Sequence, residues 1–153
     1  MKVKDMLDRH GGEFYTVAGD RTVADALRKM SGHGVSAVVV MDRDRNGARP
    51  AGIFTERDLV RCHTLFPERA AGQIPVREIM TAGLIVAEPG DTVDDAMAMM
   101  IRAKIRHLPV VGKRKIIGLI GLEDLVKTHV GALTRELHYL KDYITDLQDA
   151  AHD

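Results

Sequence analysis

The chain is short of cysteine, of excess charge and of long apolar runs, and each shortage excludes a class of protein. The single cysteine, Cys62, cannot build an internal disulfide framework, which fits a reducing cytoplasm. The 22 Lys and Arg residues balance 22 Asp and Glu residues, so no basic excess is available for a nucleic-acid backbone. Apolar runs such as VVVM at residues 38–41 are too short to span a bilayer, and the charged start MKVKD does not resemble a signal peptide. We therefore expect a cytoplasmic protein with neither nucleic-acid nor membrane partners.

Motifs for catalysis and for metal binding are also missing from the sequence. The seven histidines are scattered, and none forms a known metal motif with a carboxylate or with a cysteine. The sequence has no nucleophile elbow, Walker loop or long glycine-rich dinucleotide fingerprint. We predict neither a catalytic residue nor a metal ligand.

The sequence does contain an internal duplication. TVADAL at residues 22–27 recurs as TVDDAM at residues 92–97, an offset of 70. Each copy has an N-cap Thr, an Asp three residues later and apolar residues at i, i+3, i+4 and i+7, which predicts an amphipathic helix. The offset of 70 also relates residues 37–41 to residues 107–111. It then falls to 66, because the first copy has four extra residues in a polar hairpin tip at residues 42–47.

Each copy is predicted to form a strand, a helix, a two-stranded hairpin and a second helix. We predict an α/β (α+β) protein with one repeat at residues 3–65, a linker at 66–75 and a second repeat at 76–127. One such unit alone leaves a sheet face uncovered. We therefore expect the two units to pack face to face about a pseudo-twofold axis, with a cleft between their strand-to-helix turns.

The first of these turns, GIFTERD at residues 52–58, combines features that suit a nucleotide. Gly52 leaves room for a close approach to the backbone. Thr55 is an N-cap at a helix start whose free N–H groups attract phosphate. Asp58, one helical turn later, can accept two hydrogen bonds from a diol. The alternative is that Thr55 only caps the helix and that Asp58 only complements its dipole.

The motif in its duplicated frame resembles a tandem pair of CBS domains, the Bateman module. That family has a glycine, two apolar residues, Ser or Thr, two variable residues and Asp, and the resemblance covers residues 3 to about 127. GIFTERDLVR, IRHLPVV and the helical tail are similar to small stand-alone bacterial CBS-pair proteins. The resemblance implies a regulatory protein that binds an adenine nucleotide, AMP first, with ADP, ATP or NAD as alternatives. It implies that Asp58 holds the ribose hydroxyls and that Thr55 holds the phosphate.

The second copy departs from the family pattern at one position. GLIGLED at residues 118–124 keeps Gly118 and Asp124 but has Gly121 where Ser or Thr is expected. A phosphate at this second site would therefore lack its hydroxyl donor, although Asp124 could still hold a ribose.

Two further residues are expected at the edge of the cleft. Arg106 and His107 enter the middle strand of the second copy, where the first copy carries no charge. An arginine fork donates two parallel hydrogen bonds to a phosphate, so this pair could clamp the phosphate of the first site. The alternative is a solvated arginine and a histidine that bonds to the backbone.

Apolar residues in the tail follow a heptad seam. They step by four and three over three heptads, at Val126, Val130, Leu133, Leu137, Leu140, Ile144 and Leu147. We predict a long C-terminal helical extension over residues 128–153 that joins two subunits into a homodimer. The alternative is that the helix packs on its own domain.

The function expected from these features is an adenine-nucleotide sensor that signals to a regulated protein. A first alternative is a non-catalytic scaffold whose clefts are empty or bind S-adenosylmethionine. A second alternative is a nucleotide hydrolase, which would need a general base or a metal that the sequence does not supply.

Overall fold

Each sequence repeat forms a β-hairpin preceded by an amphipathic helix. The structure is a computed structural model, and it describes residues 1–128 and 144–148. The elements of the first repeat are α1 (Val3–His10), β1 (Thr16–Ala18), α2 (Val23–His33), β2 (Ala37–Asp44), β3 (Gly47–Thr55) and α3 (Glu56–Leu65). A 3₁₀ turn at Ala71–Gln73 precedes α4 (Val76–Ile79), α5 (Val93–Ala103), β4 (His107–Gly112), β5 (Lys115–Gly121) and a helix over residues 122–128, α6. The mixed α and β architecture predicted from the sequence is confirmed.

The repeated helices α2 and α5 begin as the capping pattern predicts. Thr22 accepts a hydrogen bond from the backbone N–H of Asp25 at 3.1 Å, and Thr92 accepts one from Asp95 at 3.1 Å. These bonds satisfy N–H groups that have no partner within the helix. The same three positions of each helix are buried, Val23, Ala26 and Met30 in α2 and Val93, Ala96 and Met100 in α5.

The strand pairing confirms both offsets of the duplication. Val40 lies opposite Gly52 in the antiparallel pair of β2 and β3, and Val110 lies opposite Gly118 in the pair of β4 and β5. The first sheet has the order β1-β2-β3, with β1 parallel to β2. The predicted first strand of the second repeat is reduced to a single parallel bridge between Ala87 and Val110. The two repeats therefore share their hairpins but differ at the sheet edge.

The leading helices α1 and α4 each pack into the core of the opposite repeat. Val3 and Met6 of α1 lie in one cluster with Leu108 of the second hairpin. Val76 and Ile79 of α4 lie in the other cluster, which contains the side chains of the first hairpin. Backbone bonds fix this exchange, because Val3 N–H donates to Asp91 C=O and Val23 N–H donates to Ile74 C=O, both at 2.8 Å. The helix that precedes each repeat thus covers the core of the other repeat.

Most of the predicted C-terminal extension lies outside the described residues. Residues 144–148 are helical, and Ile144 and Leu147 are 53% and 52% exposed. Among the helices that the structure describes, none is long and apolar enough to cross a membrane.

Candidate functional site

The turn from β3 into α3 has the local structure expected from its sequence. Thr55 is the N-cap of α3, with extended backbone angles, and the helix begins at Glu56. Ser36 C=O accepts a hydrogen bond from the first helical N–H, that of Glu56, at 3.3 Å. The start of β2 therefore lies directly beside the N-terminus of α3.

Asp58 is buried at this turn, and both of its carboxylate oxygens are occupied. The side chain is 2% exposed. Oδ2 accepts from the backbone N–H of Thr55 at 2.9 Å and from Thr55 Oγ1 at 3.3 Å. Oδ1 accepts from Arg61 Nη1 at 3.1 Å and from Thr81 Oγ1 at 2.8 Å. A carboxylate offers about four lone-pair sites, so Asp58 is saturated. In this structure Asp58 thus accepts hydrogen bonds from the N-cap residue of α3, and a diol that donates two hydrogen bonds must displace two of these donors.

The space beside Gly52 is occupied by another segment of the chain, residues 80–81. A Cβ at this position would lie 2.6 Å from Thr81 C=O oxygen and 2.7 Å from Met80 Sδ. The segment that carries both residues pairs with β3, because Ile53 and Thr81 exchange two backbone hydrogen bonds of 2.9 and 2.8 Å. The close approach expected at Gly52 is thus made by residues 80–81.

Two contacts join the first turn to the second repeat. Ser36 Oγ lies 2.8 Å from His107 Nε2, and Arg57 Nη1 donates to Lys104 C=O at 2.6 Å. Both His107 and Lys104 lie at or just before the start of β4. Arg106, which precedes His107, is exposed and forms no ion pair within the described part of the chain. Arg106 is therefore next in sequence to a residue that contacts the first turn, and its guanidinium has no ion-pair partner among the described residues.

The electrostatic surroundings of His107 keep its imidazole neutral. Burial is the main cause that lowers its pKa below the usual value, and the Arg106 guanidinium lowers it further. The carboxylates of Glu56 and Glu123 act in the opposite direction without reversing the shift. At neutral pH His107 is thus an uncharged hydrogen-bonding group.

A family assignment follows from these features. The family model of the CBS domain matches residues 3–63 and again residues 76–131. The chain belongs to the CBS domain family. The CBS domain-containing protein CBSX3, mitochondrial, of Arabidopsis thaliana is 36% identical over 135 residues, which are 87% of this chain and 65% of that protein. The chain thus spans about two thirds of the length of this relative.

Solved structures of CBS proteins have the same fold. A CBS-domain containing protein from Agrobacterium tumefaciens is 35% identical and superposes with a TM-score of 0.76, covering 84% of this chain and 92% of its own. A CBS domain protein from Pyrobaculum aerophilum complexed with AMP is 25% identical, with a TM-score of 0.68, covering 81% of this chain and 89% of its own.

The turn of the second CBS repeat repeats the geometry of the first with one difference. Leu119 N–H donates to Gly12 C=O at 3.0 Å, as Ile53 N–H donates to Thr81 C=O. Leu7 fills the space at Gly118, where a Cβ would lie 2.6 Å from its Cδ2. Gly12 therefore stands where the first turn has Thr81, and it offers no hydroxyl.

As a result, Asp124 differs from Asp58 in its partners. It is half-buried, and its carboxylate makes no hydrogen bond or ion pair in residues 1–128 and 144–148. A Cβ on Gly121 would meet Asp124 Oδ2 at 3.5 Å, an ordinary contact, so the missing hydroxyl of this turn is not a steric requirement. In the described residues, the second turn thus has a carboxylate without a partner and lacks the hydroxyl that Thr55 supplies in the first turn.

Two concavities accompany the CBS repeats. One of about 350 Å³ lies beside the second turn and is lined by Gly11, Gly12, Glu13, Phe14, Tyr15 and Ile117. The other, of about 670 Å³, lies at the β1 edge, where Arg77 contacts Asp42. Neither is lined by Thr55, Asp58 or Arg106. In the described residues, no three His, Cys, Asp or Glu side chains are grouped so as to hold a metal ion.

Sequence reasoning missed Thr81, Arg61 and Ser36 as residues of the site. Arg61 follows Asp58 by three positions on the helix, a spacing that permits an ion pair and could have been noted. Thr81 and Ser36 had no such local signal, because each reaches its partner through the packing of separate segments.

Proposed function

We propose that the first CBS turn binds an adenine nucleotide and that its occupancy regulates a partner protein. The observation that supports this most is the exposed Arg106, which has no ion-pair partner in the described residues and precedes His107, the contact of Ser36 beside the N-terminus of α3. A helix N-terminus and an arginine fork together suit a phosphate. The AMP complex of the Pyrobaculum protein adds support from a relative of the same fold.

Each residue has a distinct role in this proposal. Thr55 and Arg106 bind the phosphate, and His107 donates to it as a neutral imidazole. Asp58 accepts from the ribose hydroxyls. Gly52 contributes indirectly, by admitting the segment that carries Thr81. AMP is the preferred ligand, with ADP, ATP and NAD as alternatives, and no residue is assigned a catalytic role.

The turn of the second repeat, which carries Asp124, is proposed as a weaker nucleotide site. Asp124 can accept a ribose, and Gly118 admits Leu7 as Gly52 admits Met80. Because Gly121 has no hydroxyl, this site binds the sugar better than it binds the phosphate.

One observation favours S-adenosylmethionine as a second candidate. Glu56 and Glu123 both lie near enough to His107 to act on its pKa. Two carboxylates at this place disfavour a highly charged polyphosphate and suit a ligand with a positive charge. S-adenosylmethionine is therefore included beside the nucleotides in the test below.

Adenine nucleotides are expected to raise the melting temperature of the protein. A ligand at 100 times its Kd stabilises the fold by about 2.7 kcal/mol. For a chain of this size the gain corresponds to roughly 5–10 °C. Thermal denaturation with AMP, ADP, ATP and NAD, with GMP as the control, measures the effect. A protein whose melting temperature moves with none of the adenine nucleotides would refute the proposal, and a response to S-adenosylmethionine alone would favour the second candidate.

We also propose that the protein is a homodimer joined through the tail. Ile144 and Leu147 are exposed within residues 144–148 and occupy seam positions. Replacing both by Asp is expected to weaken self-association at least about tenfold, because a charge would be buried at the seam. Sedimentation equilibrium measures the change, and Gln148→Asp, outside the seam, is the control. An unchanged dimer would place the seam within one subunit.

A further inference from the structure

The two CBS turns differ most in what contacts their aspartates. Thr81 Oγ1 donates to Asp58 Oδ1 at 2.8 Å, the shortest of the four bonds to that carboxylate. The matching position of the first repeat is Gly12, and the carboxylate of Asp124 has no partner among the described residues. The carboxylate of Asp58 is thus fully hydrogen-bonded, whereas that of Asp124, its counterpart in the second repeat, has no partner among the described residues.

We propose that Thr81 is a specificity-determining gate residue that competes with the ribose for Asp58. This inference rests on the proposed function. The hydroxyl of Thr81 and a ribose hydroxyl are donors of the same kind, and Asp58 has no free lone-pair site for both. A ribose diol donates two hydrogen bonds. Thr55 Oγ1 frees one site on Oδ2 when it turns to the phosphate, so the second ribose bond requires Thr81 to release Oδ1.

Of the three donors other than Thr55 Oγ1, Thr81 can leave Asp58 with the least disturbance. The N–H of Thr55 is part of the backbone at the helix cap and cannot turn away. Arg61 would have to give up an ion pair. Thr81 is exposed, so its hydroxyl can turn from Asp58 to water by rotation about one bond.

The backbone of Thr81 stays in place during this exchange. Its N–H and C=O both pair with Ile53, at 2.8 and 2.9 Å. Release is thus a side-chain event, and its effect is on affinity rather than on the fold. The ribose hydroxyl gains a hydrogen bond to Asp58 only at the expense of the one that Thr81 loses.

A substitution that removes the hydroxyl tests the gate. All proteins carry Asp124→Ala, which disables the second turn, and isothermal titration calorimetry gives Kd for AMP and for 2′,3′-dideoxyadenosine monophosphate. Thr81→Val is expected to bind AMP about tenfold more tightly than the parent, since a hydrogen bond to a charged group is no longer lost. Affinity for the dideoxy ligand is expected to be the same in both proteins. Thr81→Ser restores the parental values.

The control and the contrary outcomes separate this inference from the proposed function. Thr64→Val removes a hydroxyl that bonds only to Val60 C=O and should leave both Kd values unchanged. If the parent binds neither ligand, the proposed function fails. If the parent binds AMP but Thr81→Val binds it equally or less tightly, the gate is refuted. Tightening of both ligands alike would also refute it.

A measurement on the parent alone covers the case in which Thr81→Val does not fold. If Thr81 competes with the ribose, AMP should bind at most about tenfold more tightly than its dideoxy analogue, because one of the two hydrogen bonds gained replaces the one that Thr81 loses. A larger preference for AMP would show that both ribose hydroxyls bond to Asp58 without displacing Thr81.

Discussion

Asp58→Ala is expected to lower the free energy of unfolding by about 3–4 kcal/mol, even without ligand. The substitution removes the acceptor of four hydrogen bonds at a side chain that is 2% exposed. Hydrogen bonds to a charged group contribute about 1.5–3 kcal/mol each, and half-exposed Arg61 and exposed Thr81 can recover part of this from water. At about 2–4 °C per kcal/mol, the melting temperature should fall by roughly 6–15 °C.

Asp124→Ala is the matched control, because it alters the same position of the second repeat. Its carboxylate has no partner in the described residues, so the loss should stay below about 1 kcal/mol. Urea denaturation of both variants measures the difference. Equal losses would mean that the hydrogen bonds around Asp58 do not stabilise the fold.

The same two variants are also expected to differ in nucleotide binding. Asp58→Ala should weaken binding at the first turn by roughly tenfold to a hundredfold, since the ribose loses its acceptor. Part of any loss could arise from a distorted turn, so Asp58→Asn, which keeps the shape of the side chain, is measured beside it. Asp124→Ala should leave this binding event nearly unchanged. If Asp124→Ala weakens binding more, the second turn is the stronger site.

The sequence predicts the hairpins and helix caps of both repeats because these depend on nearby residues. Thr22 and Asp25 are three residues apart, and the pairing of Val40 with Gly52 follows from a short connection. The exchange of α1 and α4 between cores was not predicted. It depends on bonds such as that from Val3 to Asp91, which lie far apart in the sequence and leave no periodic pattern.

In the candidate site, too, the features set by nearby residues were predicted and those set by distant residues were not. Thr55 and Asp58 were recognisable because a capping pair has a fixed spacing. The hydrogen bonds that saturate the Asp58 carboxylate were not recognisable, because one of them comes from Thr81, 23 positions away in the sequence. The neighbour that approaches Gly52 could not be predicted, for a related reason. A glycine in a strand indicates that something comes close, but it does not tell whether the neighbour is a ligand or the chain itself.

Gly52→Ala is expected to destabilise the protein by about 3 kcal/mol, at the upper end of the usual cost of overpacking. The added Cβ would lie 2.6 Å from the C=O oxygen of Thr81, a backbone atom that cannot move without breaking its bond to Ile53. The Cβ of Gly118→Ala would lie 2.6 Å from Leu7 Cδ2, a flexible side chain that can turn aside, and 3.2 Å from the C=O oxygen of Gly12, a milder backbone contact than that at Gly52. Its cost should therefore be nearer 1 kcal/mol.

Gly32→Ala completes the series as the control. Gly32 lies within α2, and a Cβ there would meet nothing within 4 Å. Because alanine is the better helix former, this variant should be more stable than the parent by about 0.5–1 kcal/mol. Chemical denaturation of the three variants gives the order directly. If Gly52→Ala proved no more costly than Gly118→Ala, the close pairing of residues 80–81 with β3 would not be required, and the position from which Thr81 contacts Asp58 would lose its structural basis.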